Sequence, residues 1–281
     1  MPELPEVQTI VDDLRMAGLP GSKITATSVY WPRSIDGLSP KDFNRQLVDR
    51  QIVAIRRRGK YIVFQLSDER HLLVHLRMSG RLTLENPESE RTAHQHVILS
   101  LGNHRQLRFH DPRKFGRFYL VQHPSERLGR LGPEPLGRSF TARTLKQGLG
   151  RHRRALKPLL LDQSFVAGLG NIYVDEALWD AGLHPLRPSD SLSESEVRKL
   201  HRSIRKVLRR GLRNLGTSLG KGQSNFQSLS RRQGRNREQL QVFRRTGETC
   251  RRCGNTIVRM IVGQRATHVC PVCQKARIRR R

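Results

Sequence analysis

The chain has 281 residues, and its 53 Lys and Arg against 24 Asp and Glu give a formal charge of +29. That balance makes a polyanion the expected partner, a phosphate backbone first, with a solvated basic face or a ribosomal-type protein as competing readings. No apolar run approaches the roughly 18 residues of a membrane span and the opening is acidic, with no signal segment, so a cytoplasmic protein with no membrane partner is expected.

In chain order, Val7, Ile10, Val11 and Leu14 fall on one helical face behind Pro5, with Gly18 as the stop. Over 22–122 short β-like runs at 61–64, 72–74, 96–99 and 118–121 are broken by Gly, Asn, Asp and Pro, as in an antiparallel sandwich or barrel. The Pro/Gly-rich stretch 131–137 reads as a linker. Beyond it Ser193 and Glu196 predict a capping box ahead of Val197, Leu200, Ile204, Val207 and Leu208 at helical spacing. Residues 216–239 are polar and without periodicity, a long loop that is either a functional lid or lacks fixed structure.

All four cysteines lie in the last 32 residues as two Cys-x-x-Cys pairs, Cys250/Cys253 and Cys270/Cys273, with 16 residues between the pairs. This is the spacing of a four-thiolate zinc ribbon, each pair giving two ligands and the interval the length of a hairpin. Four protein ligands close the shell, so the Zn2+ is expected to be structural. It would hold Arg259, Arg265 and the basic tail 275–281 against something anionic.

At the other end, removal of Met1 would expose the secondary amine of Pro2. An α-amine is about one-tenth neutral at pH 7, against about one part in 2,500 for a lysine. A neutral amine can attack an anomeric carbon and form an iminium, with Glu3 and Glu6 available for proton transfer. The same residues also read simply as a helix start with acids near the positive end of its dipole.

Met1-Pro2-Glu3-Leu4-Pro5-Glu6-Val7 resembles the opening of the formamidopyrimidine-DNA glycosylases, bacterial enzymes that excise oxidised purines. In the family's order follow Arg58-Gly59-Lys60-Tyr61, His75-Leu76-Arg77-Met78-Ser79-Gly80, Asp111-Pro112-Arg113-Lys114-Phe115-Gly116 and Leu131-Gly132-Pro133-Glu134-Pro135-Leu136. Gly168-Leu169-Gly170-Asn171-Ile172-Tyr173 and Gln264-Arg265-Ala266-Thr267 complete the set, which spans almost the whole chain.

The resemblance implies an α+β fold of two domains. An N-terminal helix and β-sandwich (1–123) would lead through a linker (124–150) to a helical domain with a helix–two-turn–helix and a lesion-recognition loop (151–240), then a zinc finger and basic tail (241–281). It implies Pro2 as Schiff-base nucleophile, Glu3 as the acid assisting sugar opening, Lys60 as a proton donor for β-elimination and Arg265 for δ-elimination. For both basic residues a plain phosphate contact is the alternative. Met78, Arg113 and Phe115 would fill the gap left by a flipped nucleotide. His94, Asn171 and, more loosely, Arg153 would touch DNA.

The implied activity is excision of 8-oxoguanine and formamidopyrimidines from duplex DNA, followed by β,δ-elimination at the abasic site, by a monomer associated with the bacterial nucleoid. Two alternatives stand beside it: a catalytically silent binder of damaged or abasic DNA, and an oxidised-pyrimidine glycosylase. Leu4 and the Asp-Pro-Arg-Lys-Phe-Gly run favour the purine branch. The loop region departs from the family pattern: it lacks the Asp-Phe and the downstream Tyr and carries more arginine. The choice of damaged base, which pocket and loop contacts set, therefore stays open.

Overall fold

A computed structural model describes residues 1–220, 226–229 and 232–276. The loop stretches 221–225 and 230–231, and positions 277–281 of the basic tail, lie outside the described residues. The chain divides into two compact units, Met1–Arg130 with Leu212–Arg237, and Leu131–Gly211 with Glu238–Arg281.

The first unit opens with α1 (Leu4–Met16). Glu3 caps it, the Glu3 carboxylate accepting from the Glu6 amide and the Glu6 carboxylate from the Glu3 amide, and Pro5 occupies the first turn, where a missing N–H costs nothing. Val7, Ile10, Val11 and Leu14 are buried, each worth about 1.5–3 kcal/mol of apolar burial. Gly18, at φ 72°, supplies the left-handed turn that ends the helix.

Nine strands then build two facing sheets: β1 (Ile24–Val29), β2 (Ile35–Asp36), β3 (Ile52–Arg58), β4 (Tyr61–Leu66), β5 (His71–His75), β6 (Arg81–Glu85), β7 (Gln95–Leu101), β8 (Arg105–His110) and β9 (Arg117–Val121), with α2 (Pro40–Leu47) before β3 and α3 (Ser125–Leu128) after β9. One sheet has the order β1-β7-β8-β6 and the other β2-β9-β5-β4-β3. All pairs are antiparallel except β2 with β9. A shared core of Ile24, Phe43, Ile62, Phe64, Val74, Leu99, Phe109 and Phe118 joins α1 and α2 to both sheets. This is the expected helix-plus-sandwich.

The second unit contains α4 (Ala142–Gly150), α5 (Leu156–Leu161), α6 (Asn171–Ala181), most of α7 (Glu194–Arg213) and the hairpin β10 (Val258–Val262) with β11 (Arg265–Val269). The predicted capping box at α7 is present: the Glu196 amide donates to Ser193 Oγ at 3.3 Å and the Ser193 amide to Glu196 Oε2 at 2.8 Å. Gly170 and Asn171 start α6 after a turn that Gln163 staples, its side chain bonding Leu161, Leu169 and Gly168. Among the described residues, no helix is long and apolar enough to cross a membrane.

Candidate functional site

Strand register places the first unit's singled-out residues at one end of the sandwich. Arg58, Tyr61, His75 and Arg117 form a continuous row across β3, β4, β5 and β9. The turn carrying Lys60 and the loops carrying Met78 and Arg113/Phe115 extend just beyond that row. In the other sheet Arg81 pairs with His110 and His110 with Gln95, so the same loops and His94 emerge at the same edge. Helix α1 lies against β3, with Arg15 bonding the Ile55 carbonyl at 2.7 Å and Arg57 bonding Gln8 at 3.0 Å. Climbing β3 toward Lys60 therefore descends α1 toward its N-terminus. Pro2, Glu3 and Lys60 are all buried there.

The two loops form a joined piece. Ser79 Oγ donates to Asp111 Oδ1, while Asp111 Oδ2 accepts the Gly116 amide at 2.7 Å. Gly80 and Gly116 are required by packing: a Cβ at Gly116 would lie 2.2 Å from Phe109 Cζ, and one at Gly80 would lie 2.8 Å from Phe109 Cε2. Arg77 and Lys114, with φ 56° and 58°, take the left-handed conformation rare for side-chain-bearing residues. Met78 and Phe115 are 41% and 46% exposed, so they stand out from the fold rather than joining its core. The Arg113 guanidinium sits 4.9 Å above the Phe115 ring.

The electrostatics at this end are positive. Burial, then the charges of Arg77 and Lys60, pull His75 down to about 3, and its neutral Nδ1 accepts the Arg77 amide at 3.0 Å. His94 meets His110 edge-on at 5.6 Å. Burial, Arg81 and the neighbouring histidines bring His110 to about 4.

Glu6 is 1% exposed. One oxygen accepts the Glu3 amide at 2.8 Å and the other the Thr217 amide at 2.7 Å. The base of the 216–239 loop is thereby fixed to α1. Gly234 packs so closely on the Gly216 carbonyl that a Cβ would lie 2.3 Å away, and Asn236 bonds Thr217 Oγ1 at 2.9 Å. Further along, Arg232 pairs with the buried Asp13 at 2.6 Å, and Leu229 and Phe226 join the core.

In the second unit Asn171 donates to the Ala266 carbonyl at 2.9 Å, next to Arg265, while its own Oδ1 is buried without a partner. The same carbonyl accepts Lys157 Nζ at 3.0 Å. Lys157, fully buried, also pairs with Asp175 at 2.6 Å. The second Asp175 oxygen accepts the His268 amide at 3.0 Å and lies 3.2 Å from its Nδ1. Three elements, α5, α6 and β11, thus meet on one buried ion pair. Glu176 accepts the amides of Gln241, Val242 and Phe243 at 2.9–3.1 Å. Sequence reasoning passed over these groups. The available signal was Lys157 inside an apolar run of leucines. Arg265 is exposed at the mouth of a turn made by Gly263 and Gln264, both at positive φ. Arg153 extends into solvent, 3.7 Å from Asp190.

The four cysteine sulfurs all lie within 4.8 Å of one another, with Cys253 and Cys270 at 3.4 Å and Cys250 and Cys273 at 3.9 Å. Zinc–sulfur bonds of about 2.3 Å in a tetrahedron put sulfurs about 3.8 Å apart, so the donor set fits zinc. The protein holds one structural zinc here, with the hairpin between the pairs.

Residues 1–118 match the formamidopyrimidine-DNA glycosylase N-terminal domain, 131–222 its H2TH domain, and 247–276 the zinc finger found in FPG and IleRS. The formamidopyrimidine-DNA glycosylase of Protochlamydia amoebophila is 47% identical, over 98% of this chain and 100% of its own. That of Herpetosiphon aurantiacus is 44% identical over the same shares. Among solved structures, a point mutant of Lactococcus lactis FPG with Fapy-dG containing DNA superimposes with a TM-score of 0.91 at 36% identity, covering 98% of this chain and 100% of that one. The L. lactis enzyme with abasic-site DNA gives 0.90 at the same identity and coverage. The chain belongs to the formamidopyrimidine-DNA glycosylase family.

Proposed function

We propose that this DNA glycosylase removes oxidised purines from duplex DNA and then cuts the strand, with the amine of Pro2 as nucleophile. The observation that carries the reading is the convergence of α1's first residues, the Lys60 turn and the Met78 and Arg113/Phe115 loops at one end of the sandwich. Once Met1 is removed, the neutral Pro2 nitrogen attacks the anomeric carbon. The base leaves with the electron pair of the glycosidic bond and takes up a proton, and the sugar ring opens to an iminium with Glu3 supplying the ring-oxygen proton. Elimination then expels first the 3′- and then the 5′-phosphate. Lys60 would supply or hold protons at the first step, and Arg265 would steady the phosphates at the second.

Glu6 has both oxygens on backbone amides, which supports a positioning part for it rather than direct proton transfer. Met78, Arg113 and Phe115 would occupy the gap left by the flipped nucleotide. His94, Asn171 and Arg153 would contact the backbone. Solved relatives hold DNA with Fapy-dG, an abasic site or carbocyclic 8-oxo-G, which supports the same substrate class here. The charge of +29 supports a nucleoid-associated, cytoplasmic place of work.

The test is borohydride trapping on a duplex with 8-oxoguanine opposite cytosine. The expected result is a covalent adduct with protein whose intact mass lacks Met1. Normal gel-shift binding without an adduct would instead establish a silent binder. Faster excision of thymine glycol than of 8-oxoguanine would move the enzyme to the pyrimidine branch.

A further inference from the structure

Lys114 stands between the two residues that project together from the loop joining β8 to β9. Arg113 and Phe115 are exposed, and the guanidinium of one lies 4.9 Å above the ring of the other. Lys114 has φ 58°, a left-handed backbone that a Cβ makes costly and that glycine takes freely. Two hydrogen bonds hold its peptide groups. Its amide donates to the Asp111 carbonyl at 3.1 Å, and its carbonyl accepts from Arg117 at 3.1 Å. Neither bond uses the lysine side chain.

The ammonium is placed by a ring. Nζ of Lys114 lies 4.1 Å from the centre of the Trp31 indole, and among the described residues it makes no ion pair and no hydrogen bond. Trp31 follows β1 and is half-buried. Its indole N–H is buried and has no acceptor among the described residues, so no polar contact of its own explains a tryptophan here. A leucine would fill space without leaving a buried donor unpaired, but it would offer no π face to a cation. The face is used twice, since the Arg33 guanidinium also lies 5.8 Å from the ring centre.

We propose that Trp31 is a positioning residue for the projecting pair. Its ring captures the Lys114 ammonium, that contact holds Lys114 in its left-handed conformation, and Arg113 and Phe115 are thereby directed away from the fold. The inference rests on the gap-filling part proposed above for Arg113 and Phe115.

The test compares nicking of an abasic site in duplex DNA, where the opposite base has lost its partner, with nicking of the same site in single-stranded DNA, which has no gap to fill. Trp31→Leu is expected to lower the duplex-to-single-strand ratio of kcat/KM about tenfold. Trp31→Phe, which keeps a ring face, should retain most of the ratio. Lys114→Gly added to Trp31→Leu should recover most of the loss, because glycine needs nothing to hold it at positive φ. An equal loss on both substrates would show a general packing role. An unchanged ratio, or no recovery with Lys114→Gly, would show that the stack does not set the loop. Each of these results overturns the proposal. Phe115→Ala, measured in parallel, separates the proposal from its foundation and should also lower the ratio. If it does not, the gap-filling reading falls and the proposal with it; if it does while Trp31→Leu does not, the proposal alone falls.

Discussion

At the scale of single residues, Glu6 shows how one carboxylate can serve two distant segments. It cannot turn toward a substrate without releasing either the first turn of α1 or the loop base at Thr217. Glu6→Gln places an NH2 against one of those amides and is expected to cost about 1.5–3 kcal/mol, as for a lost hydrogen bond to a charged group. The measurements are the urea midpoint and the yield of trapped adduct, both of which should fall together. The spacing of Glu3 and Glu6 marks a helix start in sequence because a capping box is local. The bond to Thr217 spans 211 positions, and no local pattern announces it. Left-handed Arg77 and Lys114 escape for a related reason: neither is a glycine, so only the packed loops around them reveal the conformation.

At the scale of elements, the helices at 4–16 and 194–213 and the strand runs at 61–64, 72–74, 96–99 and 118–121 were legible because periodicity and turn residues are properties of short windows. The sheet order was not. β1 beside β7, and β9 beside both β2 and β5, are pairings decided by which apolar faces meet in three dimensions. The motif glycines become intelligible only with Phe109 in place. Gly116→Ala is expected to destabilise the chain by about 1–3 kcal/mol through overpacking, and Phe109→Leu in the same chain should return part of that loss in a double-mutant cycle.

The pair of Lys157 and Asp175 gives a sharper expectation for the second unit. Asp175→Asn leaves a buried ammonium uncompensated and should cost about 3–5 kcal/mol. The measurement is thermal unfolding, in which the transition of the unit containing α5, α6 and β11 moves down while that of the sandwich stays. The cysteine spacing was the most readable feature of all, since metal geometry dictates it directly.

For the whole molecule, charge sets how it meets DNA and buried histidines set how it meets acid. If about six to ten phosphates are neutralised on binding, affinity should fall about 10³- to 10⁵-fold between roughly 50 and 200 mM salt. A fluorescence-anisotropy titration on duplex DNA measures this. His75 and His110 are held neutral in the fold, at about 3 and about 4. Their stabilising contribution is complete above the unfolded value near 6.5 and is lost as pH falls below it. At pH 5 each should cost about 2 kcal/mol relative to pH 7.5. Urea midpoints across that range should decline, and His75→Gln should make the decline smaller by the share His75 contributes, about 2 kcal/mol.

The bond from Ser79 to Asp111 bears on timing as well as on shape. With the Gly116 bond it holds the loops that carry Met78 and the Arg113/Phe115 pair as one body before any duplex arrives, so, on the gap-filling role proposed for them, little backbone entropy would remain to be lost on binding. On that reading the dwell at an intact base pair would be governed by how readily that pair unstacks. Sequence context in the DNA, more than rearrangement of the protein, would set the pace of the search.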